Sequence, residues 1–264
     1  MNLNLYEQAP CTLPPVNSPN QKTVILDLDH TLICTNYCPS SKPPRGSYDF
    51  LDKYDNESVS YVKKRPYVDD FLRYLSQNDF EIVIFTAGAE AYASPILDKL
   101  DPKGLISHRL YAQSCKIHYG WPVKDLSDLG RDLNNVVIID DQPASYRLQP
   151  ENGIPIKKFI GDRQDYELKK LMDEFFDKCE QYKDLKDALK HYMGVQNSNQ
   201  EREIVDEVLK TNRNNSIFDI KLRPTCKKFK SKKKKVRTMK LFELVQIKNY
   251  RRNRSRKLKM LLQN

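Results

Sequence analysis

The chain has 264 residues, 39% hydrophobic and 30% charged, with only 8 glycines and a formal net charge of +10. That length suits one large domain with an appendage, and no window approaches the roughly 18 consecutive apolar residues that a membrane span needs. The charge is uneven: residues 221–264 hold 18 Lys or Arg against one acid, Glu243, so the preceding 220 residues carry a net −7 and the basicity belongs to the tail.

Residues 1–21 contain scattered Pro and Asn and no hydrophobic period, and are read as a mobile leader. They lack the basic start and apolar run of a secretory signal. Thr23-Val24-Ile25-Leu26 then runs straight into Asp27, as in a short buried parallel strand whose carboxyl end opens to solvent. Side chains two apart on a strand share a face, so Asp27 and Asp29 point together while Leu28 turns back into packing. Two convergent carboxylates repel each other unless a cation lies between them or one carries a proton.

Residues 34–59 form a long polar connection with Pro39, Pro43, Pro44 and Gly46, which marks a functional loop or flap. An extended Val59–Val62 segment closes it as a hairpin. After Arg65-Pro66, the spacing of Val68, Phe71, Leu72 and Leu75 predicts a helix. A second apolar run, Glu81–Phe85, ends at Thr86-Ala87-Gly88, and a further helix is expected from Ala89 to Leu100, adjusted at Pro95. Rough alternation from Leu105 to Val123 reads as strand or hairpin and leads to Lys124. A third run, Asn135–Ile139, ends at Asp140-Asp141. Another strand is expected within Ile154–Ile160, then a helical region from Asp165 to Tyr192 whose apolar stripe is core contact, with the domain closing near Met193. Strands alternating with helices predict an α/β fold with a doubly wound, mostly parallel sheet.

Six cysteines are present, only Cys34 and Cys38 lying close together, and none of the four histidines falls in a zinc-finger register with them. Reduced thiols in an intracellular protein, and no structural zinc, are expected.

Three apolar runs thus end in reactive groups: Asp27 and Asp29, Thr86, and Asp140 with Asp141. The carboxyl ends of strands in open parallel sheets form the ligand crevice, so these groups gather at one edge, and Lys124 can join them. Two carboxylate clusters, a hydroxyl and an ammonium suit phosphoryl transfer with Mg²⁺, held by Asp27 and one of Asp140 or Asp141. Asp27 is placed to attack phosphorus, Asp29 to exchange protons with the leaving group and the water, and Thr86 and Lys124 to hold the phosphoryl oxygens.

Asp27-Leu28-Asp29-His30-Thr31-Leu32, Phe85-Thr86-Ala87, Lys124-Asp125-Leu126-Ser127 and Asp140-Asp141-Gln142-Pro143-Ala144-Ser145-Tyr146 resemble the motifs of haloacid dehalogenase-superfamily phosphatases. Within that superfamily the chain is similar to the small phosphatases of the RNA polymerase II C-terminal domain, over about residues 22–193. The resemblance implies a haloacid dehalogenase-like Rossmannoid core with a small hairpin insert and no large cap. It also implies a Mg²⁺-dependent phosphoserine or phosphothreonine protein phosphatase acting on that C-terminal domain or a similar exposed phosphopeptide. Carried over by position, Asp27 is the nucleophile and Asp29 the acid/base. Thr86, Ala87 and Lys124 bind phosphate, and Asp27, Asp29, Asp140 and Asp141 form the metal set. Two positions depart from the pattern: His30 stands where Glu is common, and Asp141 where Asn is usual, adding a negative charge beside the metal.

The sequence therefore divides into a leader (1–21), a phosphatase domain (22–193), a polar linker (194–220) containing a short helix at Glu203–Lys210, and a basic, partly helical or disordered tail (221–264). Lys and Arg blocks at 227–235 and 251–257 suit nuclear import or contact with nucleic acid or an acidic protein, which favours a nuclear over a cytoplasmic location. A membrane-surface or calmodulin-like target helix and a solvated tail without one partner are the competing readings. For the domain, a non-catalytic scaffold on the same fold and a small-metabolite phosphatase compete with the protein phosphatase.

Overall fold

A computed structural model describes residues 11–16, 18, 20–38, 46, 48–53 and 59–214. Half of the expected leader, much of the flap and the whole basic tail lie outside the described residues. The chain divides into two compact units, Met1–Glu207 and Val208–Asn264, and of the second only residues 208–214 are described, all helical.

The first unit begins with β1 (Thr23–Leu26), followed by β2 (Ile33–Cys38), β3 (Phe50–Lys53) and β4 (Val59–Lys64). Next come α1 (Val68–Gln77), β5 (Glu81–Phe85), α2 (Glu90–Leu100) and β6 (His108–Leu110). The hairpin strands β7 (Lys116–His118) and β8 (Trp121–Val123) precede β9 (Val136–Asp140) and β10 (Gly153–Pro155), and α3 (Glu167–Glu174) and α4 (Leu185–Asn214) close the described chain.

Five strands form one parallel sheet in the order β10-β9-β1-β5-β6. The chain runs outward from β1 through β5 to β6, then crosses back to β9 and β10 on the other side. Strand order reverses at β1, so the crevice of this sheet opens at the carboxyl end of β1, where Asp27 lies. Every residue of β1, β5 and β9 is buried, as expected for central strands covered on both faces.

The alternation of side chains divides the core in two. Val24, Leu26, Ile82, Ile84, Val137 and Ile139 pack on one face with apolar residues of all four α-helices. Ile25, Val83, Phe85 and Ile138 face the other way, against Leu13, Leu126, Leu129 and Tyr146. That second face is closed by short 3₁₀ turns at Leu126–Leu129 and Pro143–Tyr146 instead of long helices.

The insert after β1 is a three-stranded antiparallel sheet in the order β2-β4-β3, one strand more than the expected hairpin. β6 joins the main sheet, while β7 and β8 form the predicted hairpin. The strand sought within Ile154–Ile160 is shorter and earlier, β10. The helical region 165–192 is broken: α3 ends at Glu174, a 3₁₀ stretch covers Phe176–Gln181, and α4 then runs unbroken through Gly194 to Asn214. Helix therefore occupies most of the segment expected to be a linker. Among the described residues no helix is long and apolar enough to cross a membrane.

Candidate active site

Asp27 leaves β1 with its amide donating to the Ile139 carbonyl of β9 (3.0 Å), which continues the ladder one residue past the strand. The chain then turns sharply. The Leu28 carbonyl accepts from the Leu32 and Ile33 amides (2.9 and 3.1 Å), and His30 adopts φ 65°, the left-handed conformation that reverses the chain. Leu28 is fully buried beneath the turn, as the alternation predicts. Asp27 and Asp29 are left facing the crevice.

Lys124, immediately after β8, is 2% exposed, and its Nζ donates to Asp27 Oδ1 (2.7 Å) and Asp140 Oδ2 (2.6 Å). Burial alone would lower its pKa, but the two carboxylates outweigh burial and raise it, so the ammonium is held charged. Asp140 ends β9 and is fixed on both oxygens: Oδ1 accepts from the Gln142 amide (2.7 Å) and Oδ2 from Ser145 Oγ (2.6 Å). The Lys124 amide donates to the Ser145 carbonyl (2.7 Å), so β8 and the turn after β9 are tied together.

Burial pushes the Asp27 pKa up to about 6; Lys124 opposes the shift and Asp140 adds to it. Burial also raises Asp29, opposed by the Tyr92 hydroxyl, which donates to Asp29 Oδ1 (2.5 Å) and approaches Thr35 Oγ1 (3.0 Å). Asp141, half-buried, is raised by burial and then by the charge of Asp140. Its amide donates to Thr31 Oγ1 (3.2 Å).

Thr86 follows β5, its amide donating to the Leu110 carbonyl of β6 (2.9 Å) and its Oγ1 accepting from the Gly88 amide (2.9 Å). Gly88 lies in close quarters: a Cβ there would be 3.1 Å from the Tyr92 ring and 3.2 Å from Thr86 Oγ1, so both side chains would have to yield by a few tenths of an ångström.

All seven residues singled out in the sequence, Asp27, Asp29, Thr86, Ala87, Lys124, Asp140 and Asp141, line one open cavity of about 700 Å³. Asp27, Asp140 and Asp141 each place a carboxylate oxygen within 4.8 Å of the others. Three hard oxygen donors at that spacing fit a divalent cation that keeps part of its water shell. The Asp29 carboxyl, expected as a fourth ligand, falls outside this group and turns to Tyr92 instead. Tyr92, Trp121 and Arg147 were not identified as site residues from sequence. Tyr92 carries no local signal, because its approach to Asp29 depends on how α2 packs. Ser145 and Gln142 lie inside the quoted 140–146 motif, but their bonds to Asp140 depend on the turn's conformation.

The family model described as NLI interacting factor-like phosphatase matches residues 22–186. The "Probable C-terminal domain small phosphatase" of Dictyostelium discoideum is 46% identical over 154 residues, covering 57% of this chain and 48% of that protein. The human "Carboxy-terminal domain RNA polymerase II polypeptide A small phosphatase 2" is 43% identical over 170 residues, covering 62% of this chain and 60% of that protein. The chain therefore spans about half to three fifths of the length of these relatives. A solved structure of the fission yeast RNA polymerase II CTD phosphatase Fcp1 with beryllium fluoride bound aligns with 53% of this chain and 42% of that one, at 27% identity and a TM-score of 0.42.

Proposed function

The chain belongs to the NLI interacting factor-like phosphatase family, and from that premise we propose that it is a Mg²⁺-dependent phosphoserine or phosphothreonine protein phosphatase working through an aspartyl-phosphate on Asp27. The observation that carries this reading is the meeting of Asp27, Asp29, Thr86, Lys124, Asp140 and Asp141 in one cavity at the sheet's switch point.

In the first step an Asp27 carboxylate oxygen forms a bond to phosphorus, and the bond from phosphorus to the serine or threonine oxygen breaks. Asp29, whose pKa is raised by its burial, passes a proton to the departing oxygen. In the second step Asp29, now a carboxylate, takes a proton from water. The resulting hydroxide oxygen bonds to phosphorus while the Asp27 oxygen leaves, so inorganic phosphate and the original carboxylate are recovered. Lys124 and the backbone amides after Thr86 hold the equatorial oxygens throughout. Asp27, Asp140 and Asp141 would hold the Mg²⁺, whose chemistry there is to neutralise charge on the phosphoryl oxygens and let a carboxylate approach an anion. Splitting one hydrolysis into two steps requires only that Asp27 be ionised and Asp29 protonated at the outset. Lys124 lowers the pKa of Asp27 and so favours its ionised form, whereas Tyr92 lowers that of Asp29; a cation held beside Asp27 would favour the ionised nucleophile further.

The proposed substrate is the phosphorylated C-terminal domain of RNA polymerase II or a similar exposed phosphopeptide. The relatives' names and the open crevice, which an extended chain can enter, support that substrate. We place the catalytic domain at residues 22–193 and assign the basic blocks at 227–235 and 251–257 to nuclear import or to binding a polyanion. Turnover of an aryl phosphate with Mg²⁺ tests the chemistry: the wild-type chain should turn over, and Asp27→Asn should not.

A further inference from the structure

The cavity lining carries two groups that the chemistry above does not use, Trp121 and Arg147. Trp121 is 67% exposed at the start of β8. It follows a two-residue turn in which Tyr119 and Gly120 both have positive φ (52° and 78°), the pattern of a tight hairpin, and it pairs with His118 across the strands. The indole is thus presented from the strand that leaves this turn. Arg147 follows the turn after β9, the same turn that the Lys124 amide ties to β8. Its Nε donates to the Ala144 carbonyl (2.9 Å), which fixes the root of the guanidinium. Among the described residues its two remaining nitrogens have no partner, and the indole N–H of Trp121 has none either. Trp121, Pro122, Ala144 and Arg147 line the cavity continuously with Asp27.

The charge of the reacting phosphoryl group is already met at the floor, by Lys124 and by the proposed cation. Arg147 bonds to none of the groups at that floor. A guanidinium with four free N–H donors, displayed beside an anion-binding site, matches a second phosphate or carboxylate bidentately. The flat face of Trp121 offers area for the intervening peptide backbone or an apolar side chain. The cavity of about 700 Å³ leaves room for more than one residue's side chain.

We propose that Trp121 and Arg147 form a second anion subsite, which reads a phosphorylated or acidic residue a few positions from the reacting phosphoserine or phosphothreonine. This deepens the phosphatase reading and rests on it: multiply phosphorylated segments are then the favoured substrates over singly phosphorylated ones.

Trp121 is the sole tryptophan of the chain, so its emission reports occupancy of this wall directly. The test is a fluorescence titration of the full chain carrying Asp27→Asn. The ligands are a peptide with one phosphoserine and a panel in which a second phosphoserine is moved stepwise away from the first on either side. At the best spacing the second phosphate should tighten binding roughly tenfold, and saturation should change the Trp121 emission. Arg147→Glu should abolish or invert that preference, while Arg147→Lys, which keeps the charge and loses the fork, should keep part of it. Arg147 is partly exposed, so these variants leave the core intact. Equal affinity across the whole panel, or saturable binding with unchanged emission, would overturn the proposal. The two readings fail separately. Phosphate released by the Asp27→Asn chain counts against the nucleophile, whereas an absent spacing preference counts against the rim alone.

Discussion

The Tyr92 hydroxyl donates a 2.5 Å hydrogen bond to Asp29 Oδ1, placing the one aromatic hydroxyl of α2 on the group assigned to proton transfer. The bond orients the carboxyl and partly counters the rise in pKa caused by its burial. Without it, Asp29 is freer to rotate and its pKa moves higher still. Tyr92→Phe should slow transfer from a phosphoserine peptide about tenfold, because an alkoxide leaves only with a proton. Transfer from an aryl phosphate, whose phenolate leaves unaided, should slow much less. Single-turnover quench measurements on both substrates check this, and equal slowing would contradict it.

Asp141 gives the proposed cation site a third carboxylate beside Asp27 and Asp140. Affinity for hard cations follows the number of charged ligands. Asp141→Asn should therefore raise the Mg²⁺ concentration for half-maximal activity roughly tenfold and shrink the rise in melting temperature on adding Mg²⁺. Chelation of the wild-type chain should remove both activity and that rise. An unchanged Mg²⁺ response in the variant would show that the charge of Asp141 adds nothing to the site.

Arg65 is 1% exposed and bonds Asp165 through Nε and Nη2 (2.7 and 2.8 Å), the Thr31 carbonyl (3.0 Å) and the Lys157 carbonyl (2.7 Å). It thereby joins the turn after Asp27 to the segment following β10. Asp165→Ala would leave this cation buried and uncompensated, at about 3–5 kcal/mol of folding stability. The double replacement Arg65→Met with Asp165→Leu should recover a large part of that loss. Denaturant titrations of the single and double variants decide the point. A single-variant loss under about 1 kcal/mol would show that the pair is not what anchors the turn.

The parts of this fold legible in the sequence are those whose information is local. β1, β5 and β9 are continuous apolar runs because both their faces are covered, and each ends abruptly at the polar residue that the crevice uses. The positions of Asp27, Thr86 and Asp140, which meet in one cavity, are therefore marked by the ends of these runs. Features set by packing were not legible. β6 is three residues long and carries His108 and Arg109, so nothing marks it as the sheet's edge strand. Tyr92 reaches Asp29 across 63 residues of sequence. The break between α3 and α4 interrupts an apolar stripe that continues on both sides of it. The passage of α4 through Gly194 goes against glycine's helix propensity, by about 1 kcal/mol relative to Ala, which is why that segment read as a linker.

Asp125, which is not among the residues lining the cavity, provides a pH test. Burial would raise its pKa, but hydrogen bonds from Lys116, Ser127 and Gln149 outweigh burial and bring it from 3.8 to about 2. Because the folded value is the lower one, the contribution to stability is complete above pH 3.8 and is lost as pH falls toward 2. It amounts to about 2 kcal/mol. Asp125→Asn should lower stability at neutral pH by about that amount and flatten the acid limb of the profile between those two values. Denaturant midpoints recorded across the acid range check this, and parallel acid limbs for the two proteins would contradict it.

The most direct measurement on the central claim is to locate the phosphoryl group during turnover. The wild-type chain is mixed with phosphopeptide and Mg²⁺ and quenched in acid, which preserves acyl phosphates, and the proteolytic fragment spanning Asp27 is sequenced by mass spectrometry. The account predicts a phosphoryl group on Asp27 that is absent when Mg²⁺ is omitted. Hydrolysis that proceeds with the phosphoryl group on another residue, or with none on the chain at any quench time while phosphate accumulates in a burst, would contradict it.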